Sequence, residues 1–420
     1  MTNPFKDSKF NYLFAPLMLG AMNDSLIRNV IVIWYTYFLN LSWPTREDLV
    51  TLCTFAFILP SLIFASYAGK YADSYDKVKI LRKIKLFEIV IVITGLILCA
   101  KQHPLSQLLI LFALGAHSTF AGPIKYSILP QYYQSTAKII VATGYMEFGT
   151  LFAILLGQLI GGALMANDMI MIAGIIVLTS AIIGYICTYY MQSTTPLINK
   201  PEFHKNIFID NWNTYKRVVT NKNSKINIHA ISWFWCLSMV YTTQFSLFAL
   251  KYLGANNKVF SLLSVLYTIG LGVGAVYSAK YFSKKALNRK LVPICTLLIS
   301  ILTLIVLLNN NTPVNKLVGL NDFITKKHLI DIIALISISV CSGIFSIICY
   351  SDLQINATPA VRSQTIAVNN WFNAFYMVVL SLILIVILPE FDIWNTMLLL
   401  ISVNVIFCIW YAIYMPKNIN

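Results

Sequence analysis

The 420-residue chain is poor in charge: charged residues make up 11% of it, and acids number only 16 against 31 Lys and Arg. Soluble domains carry about 25% charge. With hydrophobic residues at 58% and a mean hydropathy of +0.72, a soluble globular domain is excluded. Paired cysteines are also missing. Cys53, Cys99, Cys187, Cys236, Cys295, Cys341, Cys349 and Cys408 are scattered through apolar runs with no C-x-x-C, so neither a disulfide framework nor a zinc site is indicated and they read as buried fillers. The five histidines form neither an H-x-x-x-x-D motif nor a metal-ligand pair. His117 reads as a hydrogen-bonded packing residue, with a proton relay as the alternative. Gly270-x-Gly272-x-Gly274 follows no strand and sits inside an apolar run, so it is not a dinucleotide loop. No nucleophile–base pair appears, and the sequence predicts no catalytic residue, metal or cofactor.

What remains is apolar length. Twelve runs are long enough to cross a bilayer, near 12–39, 49–70, 84–101, 105–125, 139–165, 168–192, 226–252, 258–280, 291–308, 329–351, 364–388 and 393–414. The first follows a short charged leader, Lys6-Asp7-Ser8-Lys9, without a small-residue cleavage site, and is expected to stay as an anchor. The fold class expected is an all-α membrane protein. Lys and Arg are retained on the cytoplasmic side. With the N-terminus inside, inward loops and flanks hold 23 of the 31 Lys and Arg, so both termini are expected in the cytoplasm. An anionic inner leaflet accounts for the +15 net charge, and no nucleic-acid partner is needed.

The longest polar segment, about 193–225, separates an N-terminal six-helix half (1–192) from a C-terminal one (226–420) and is expected to be a cytoplasmic loop. A weak internal repeat supports that division: Lys70-Tyr71 returns as Lys280-Tyr281, and Tyr126-Ser127-x-Leu129 as Tyr350-Ser351-x-Leu353. Two parallel six-helix halves with a site between them describe one large transporter class.

One stretch resists the apolar pattern. MNDSLIRNV, Met22 to Val30, places an acid, an arginine and two asparagines midway along the first run. A charge at the centre of a spanning helix costs about 2.5–3.5 kcal/mol on insertion scales, and such residues are functional candidates by default. Asp24 and Arg28 are four apart and lie on one helix face, where each can neutralise the other. The alternative is a packing pair that pins the helix to a neighbour.

Gly69 to Lys79, GKYADSYDKVK, resembles the loop motif of the major facilitator superfamily between its second and third helices; Gly69, Asp73, Lys77 and Lys79 match, whereas Ser74 and Asp76 depart from it. The resemblance implies a gating role for Gly69, Asp73 and Lys77. Further segments, in order, narrow it. GAMNDSLIRN, ADSYDKVKILRKIKLFEI, GPIKYSILPQ, MEFGTLFAILLGQLIGG, ISWFW with TTQF, and NNWFNAFYMV together resemble the bacterial lysophospholipid transporter family. The resemblance implies a pseudo-symmetric twelve-helix major facilitator fold in the bacterial inner membrane. It also implies movement of lysophospholipids, chiefly lysophosphatidylethanolamine, from the outer to the inner leaflet. A separate acyltransferase/acyl-acyl carrier protein synthetase would then restore the missing chain.

A lysophospholipid offers one acyl tail, a phosphate and often an amine, so its route needs both charge signs beside an apolar wall. The expected contacts are Arg28 and Lys125 for phosphate, Asp24 and Glu147 for an ammonium, and Asn23 beside them. The C-terminal half offers amides instead: Gln244, Asn369, Asn370 and Asn373. Amides also glue helices together, and that reading stands equally. The small residues Gly149, Ala153, Gly157 and Gly161, four apart, read as a face for close helix packing. Two other classes stay open: a facilitator-type carrier of a small soluble anion or drug, and a membrane enzyme acting on lipid head groups.

Overall fold

In hydrocarbon a segment must satisfy its own backbone N–H and C=O groups, and for a single apolar run the helix does so. The computed structural model describes residues 3–37, 46–99, 104–166, 169–196, 203–314, 316–323, 326–387 and 391–415. Its long helices are α1 (Ser8–Tyr37), α2 (Arg46–Ser74), α3 (Lys77–Cys99), α4 (Pro104–Ser127), α5 (Thr136–Ala166), α6 (Ile170–Cys187), α7 (Lys222–Tyr252), α8 (Asn257–Phe282), α9 (Leu291–Asn309), α10 (Lys326–Asn356), α11 (Arg362–Ile387) and α12 (Ile393–Tyr414). The twelve coincide with the twelve apolar runs. Ten of them contain stretches long and apolar enough to cross a membrane. The other two are α3, which opens with five cations between Lys77 and Lys85, and α7, rich in Ser, Thr, Asn and Trp. Among the described residues there is no strand, only an isolated bridge from Ala255 to Val318.

The chain divides into two packed units. The first comprises Met1–Ala142, Gly149–Asn221 and Gln354–Trp371; the second comprises Thr143–Phe148, Lys222–Leu353 and Phe372–Asn420.

In the first unit, two apolar clusters hold α1 in place. One gathers Ile31 and Tyr35 with Cys53 of α2, Ile91 of α3, and Ile110, Leu111 and Leu114 of α4. The other gathers Leu26 and Val30 with Val92, Met165, Ala173 and Val177. Glycines on α5 let it approach the α1 backbone: a Cβ on Gly157 would meet the Leu26 amide at 3.0 Å, and one on Gly161 the Leu26 carbonyl at 3.2 Å. The spacing of small residues on α5 is therefore a packing face, as the sequence implies.

The central segment contributes the amphipathic helix Ile207–Val219, capped by the Asn206 side chain, which accepts from the Phe208 and Ile209 amides. Its Asp210, Thr214 and Val218 are buried at four-residue spacing, whereas Phe208, Ile209 and Trp212 face outward. The buried face docks on α2: Lys70 Nζ donates to Asp210 Oδ1 at 2.6 Å, Ser66 Oγ donates to Asp210 Oδ2 at 2.5 Å, and Tyr67 stacks on Phe203 at 4.8 Å. The amide of His204 also donates to Asp210 at 2.8 Å. Burial works to raise the Asp210 carboxyl, but the bonds from Lys70, Ser66 and His204 outweigh it and hold the group below the usual carboxylate range.

The second unit is tied by polar side chains of a different kind. Arg289 grips Asp352 through Nη2 at 2.6 Å and Nε at 3.1 Å, and Asn227 of α7 donates to the other oxygen of Asp352 at 2.6 Å. Asn404 of α12 accepts from Trp233 Nε1 and donates to the Thr296 carbonyl and Ser300 Oγ. The glycine run on α8 meets α10 closely: a Cβ on Gly270 would meet the Ile336 carbonyl at 3.3 Å, and one on Gly343 the Ala275 amide at 2.8 Å. That run is a helix crossing, in accord with its place inside an apolar helix.

Candidate functional site

Each polar residue of Met22 to Val30 goes to a different neighbour. Asn23 Nδ2 donates to Glu88 Oε1 of α3 at 2.8 Å, and its Oδ1 accepts from Ser180 Oγ of α6 at 2.5 Å. Asp24 accepts from Ser118 Oγ of α4. Ser25 Oγ donates to the Ile154 carbonyl at 2.9 Å, and Asn29 Nδ2 to the Gln158 carbonyl at 2.7 Å, both on α5. Arg28 lies over the Phe57 ring of α2, 5.3 Å from its centroid. Asp24 and Arg28 share a helix face, but no carboxylate oxygen approaches the Arg28 guanidinium within 4.0 Å among the described residues. Asp24 is thus bonded to a hydroxyl, and Arg28, one turn away, rests on an aromatic face while still within electrostatic reach of the acid.

Behind Asp24 lies a cluster of ionisable side chains. Lys85 Nζ donates to Glu88 Oε2 at 2.6 Å; His117 Nε2 stands 3.4 Å from the same oxygen, and His117 Nδ1 stands 4.0 Å from Asp24 Oδ1. Glu88 is 0% exposed, Lys85 1% and His117 3%. Gly20 makes room for it: a Cβ there would meet Lys85 Nζ at 2.5 Å. The sequence reading placed neither Lys85 nor Glu88 in a site. The signal available was their three-residue spacing inside a run otherwise rich in Leu, Ile and Val.

The other expected contacts are spread more widely. Lys125 Nζ donates to Thr150 Oγ1 at 2.5 Å and sits 4.5 Å from the Tyr126 ring centroid, in the first unit. Glu147 is buried and belongs to the second unit. The asparagines of α11 divide likewise. Asn369 is buried and Asn370 packs on Gly122, where a Cβ would meet its Nδ2 at 2.6 Å, both in the first unit. Asn373, in the second unit, accepts from Ser232 Oγ at 2.9 Å. The side chain of Gln244 lies outside the described residues.

The loop motif is the most fully bonded of the sequence-predicted sites. Asp73 is 0% exposed and caps the start of α11, accepting the Ser363 amide at 2.9 Å and the Gln364 amide at 3.1 Å. Gln364 Nε2 adds a bond to the same carboxylate at 3.3 Å. Gly69, one turn earlier, allows the contact: a Cβ there would lie 2.7 Å from Gln364 Cα and 2.8 Å from Ala367 Cβ. Lys77 Nζ donates to the Ala72 carbonyl at 2.5 Å and lies 3.8 Å from Asp73. Asp76, where the motif departs from its common form, accepts the amides of Val78 and Thr194, both at 3.0 Å. Those bonds and the Thr194 hydroxyl outweigh burial and hold the Asp76 carboxyl below its ordinary range.

Most of the chain resembles known proteins. The sequence profile of the Major Facilitator Superfamily matches residues 17–382. The chain is 25% identical over 261 residues, 61% of its length, to proteins named lysophospholipid transporter LplT in Yersinia pestis (strain Pestoides F) and Yersinia pseudotuberculosis (serotype I, strain IP32953). The match spans 62% of the length of those relatives. Among solved structures, the human organic anion transporter MFSD10 (TETRAN) superposes with a TM-score of 0.70 at 11% identity, covering 97% of this chain and 100% of that one. A bacterial homologue of the iron transporter ferroportin in an outward-facing state gives 0.68 at 10% identity, covering 96% and 98%. At such identities the structural likeness speaks to fold alone, but the profile covers well over half the sequence. This multi-pass membrane protein belongs to the major facilitator superfamily of transporters.

Proposed function

We propose that this transporter moves lysophospholipids such as lysophosphatidylethanolamine from the outer to the inner leaflet of a bacterial inner membrane by alternating access, with both termini cytoplasmic. A separate acyltransferase/acyl-acyl carrier protein synthetase would reacylate them. The observation that carries the reading is Arg28: a cation midway along a spanning helix, without a carboxylate within 4.0 Å among the described residues and with the Phe57 face beneath it. A membrane-embedded guanidinium so placed suits a phosphate, which it can hold through two N–H donors. Asp24, one turn away, has one oxygen bonded to Ser118 and the other unbonded, in position to accept from an ammonium. The likeness to the Yersinia lysophospholipid transporters supports the same substrate class.

The test is uptake of labelled lysophosphatidylethanolamine by spheroplasts with and without the protein. A protein-dependent rise, with label recovered in the inner leaflet, is expected. Equal uptake in both, or protein-dependent uptake of a water-soluble organic anion instead, would sink the reading.

A further inference from the structure

Where α1, α3, α4 and α6 of the first unit come together there is a cavity of about 390 Å³, within the range of small-ligand pockets. Its walls are Leu, Ile, Val, Met, Ala, Gly and one Trp, and Gln107 of α4 is the one amide side chain among the described lining residues. Gln107 is 5% exposed, and its Oε1 has no hydrogen-bond partner among the described residues. A buried carbonyl oxygen without a donor is costly, and this one belongs to a side chain that lines an apolar space. Water is a poor occupant, since a buried water needs about two to four polar partners and the walls are otherwise almost wholly apolar.

The place of the cavity narrows what can fill it. It is walled by the last turns of α1 and α3 and the first turns of α4 and α6, at the end of the unit opposite the N-terminus. In the orientation proposed above, that is the outer-leaflet side. Gln107 is near the start of α4, about 5 Å from Pro104, whereas Leu26 lies about 12 Å deeper than Trp34 along α1. The acceptor is thus close to the head-group level, and the apolar wall runs inward from it. Met171 lines the cavity and is 74% exposed, and Ile97, between the lining residues Leu96 and Leu98, is exposed as well. The mouth therefore opens on an apolar surface of spanning helices, which acyl chains cover. Leu26 and Val30 on the wall are each about 200° around α1 from Arg28, so the cavity is on the other side of that helix from the contact with Phe57.

A fitting occupant brings an apolar chain and, at its outer end, a hydrogen-bond donor. A two-chain phospholipid has both glycerol oxygens esterified at that level and offers no donor there; a fatty-acid carboxylate offers acceptors alone. A single-chain glycerolipid keeps one free hydroxyl beside its chain. We propose that this cavity is a site for the acyl chain of a single-chain glycerolipid, with Gln107 Oε1 accepting a hydrogen bond from the free glycerol hydroxyl. Lysophosphatidylethanolamine and its two-chain parent carry the same head group, so the charges of α1 do not tell them apart. An acceptor left unpaired by any lipid without the hydroxyl does. The use of that selection in transport rests on the reading above, whereas the site itself stands on the cavity and its amide.

The test is photolabelling of the purified full-length protein in nanodiscs of diacyl phosphatidylcholine. The probe is 1-acyl lysophosphatidylethanolamine with a diazirine in its chain, and labelled peptides are mapped by mass spectrometry. Label is expected on the wall segments 26–34, 91–98 and 170–177. Excess unlabelled lysophosphatidylethanolamine should cut it severalfold, and an analogue with hydrogen in place of the glycerol hydroxyl should compete far less well. G95L is expected to remove the label: a Cβ there meets nothing nearer than Ile110 Cγ2 at 3.6 Å, so the larger side chain is accommodated by filling the cavity. Q107L keeps the cavity and deletes the acceptor, so the two competitors should become equal, and this comparison decides the matter should G95L fail to fold. R28Q should retain the label. Label spread evenly over the lipid-facing helices, or unchanged in a folded G95L, would overturn the site; equal competition by the two lipids in the wild type, or a preference that survives in Q107L, would overturn the role of Gln107. If the label stays at the cavity while the protein moves no lysolipid, the transport reading has failed and the site stands; if uptake persists without the label, the reverse holds.

Discussion

Asp73 and Ser363 are 290 residues apart in sequence, yet the carboxylate of the first accepts the backbone N–H of the second at 2.9 Å, and both are fully buried. The bond joins the end of α2 to the first turn of α11, where an anion is favoured by unpaired amides and by the helix dipole. An amide in place of the carboxylate would keep one acceptor and turn a donor toward the second amide. D73N is therefore expected to reach the membrane, to lose at least about 1 kcal/mol of stability for the lost cap and more because Lys77, 3.8 Å away, is left buried without its partner, and to slow transport strongly. Unchanged uptake would show that the cap holds the fold together without acting as a gate.

Gly69 gives a sharper version of the same test. A methyl group there would sit 2.7 Å from Gln364 Cα, which is backbone and has no rotamer to escape through. G69A should force α2 and the start of α11 apart, lowering both the melting temperature and the transport rate. A variant with wild-type melting and uptake would mean that the two helices separate freely at that point.

The Lys70–Asp210 pair anchors the amphipathic helix to α2. Breaking a buried pair by removing one charge costs about 3–5 kcal/mol, because the other is left in place without its partner. D210N is expected to show a loss of that order in denaturation at neutral pH. The folded-state carboxyl sits below the unfolded value of about 3.9. The bond's contribution is thus fully present above about pH 5, and it is lost as the pH falls past the unfolded value and through the folded one. Wild-type and D210N melting temperatures should converge in acid, and a gap that is constant with pH would contradict the assignment.

The helices were legible because their signal is local: each spanning helix is one continuous apolar run, and all twelve coincide with those in the structure. The motif was legible at Gly69 and Asp73 for the same reason, but its partner, the α11 start, was not, since nothing in a single sequence pairs Asp73 with Ser363. The polar stretch in α1 was visible as an anomaly, but its tertiary partners were not. Helical spacing makes Asp24 and Arg28 neighbours, whereas tertiary packing supplied Ser118 to one and Phe57 to the other. Lys85 and Glu88 were passed over because α3 opens with a cationic turn that reads as an ordinary inner flank. Only the fold reveals that these two are turned inward.

The proposed orientation rests on the basic loops and can be tested at two exposed positions. In a cysteine-free background, Cys at Lys205 should react with an impermeant thiol reagent only from the cytoplasmic side, and Cys at Leu317 only from the periplasmic side. Labelling of both from one side would break the proposed topology.

Arg28 decides what the charges in α1 are for. If it served packing, its removal would unseat a neighbour, but the contact recorded for it is the Phe57 face, worth about 0.5–2 kcal/mol as a cation–π interaction. Replacing it with Gln removes a costly charge from the middle of a spanning helix, so the fold should lose little and can even gain. A phosphate-binding role predicts the opposite for function: R28Q should fold, reach the membrane and fail to move lysophosphatidylethanolamine, with R28K recovering part of the rate because a lysine keeps the charge but not the two-pronged grip. Asp24 provides the control. D24N leaves the Ser118 hydroxyl a neutral oxygen to bond but removes the anion, so it should impair amine-bearing lysolipids more than lysophosphatidylglycerol, which has no ammonium. The double variant R28Q/D24N removes both charges at once, and a purely structural pair would then regain activity. Since the two side chains make no ion pair, recovery is not expected, and uptake restored in the double variant would place the head group elsewhere.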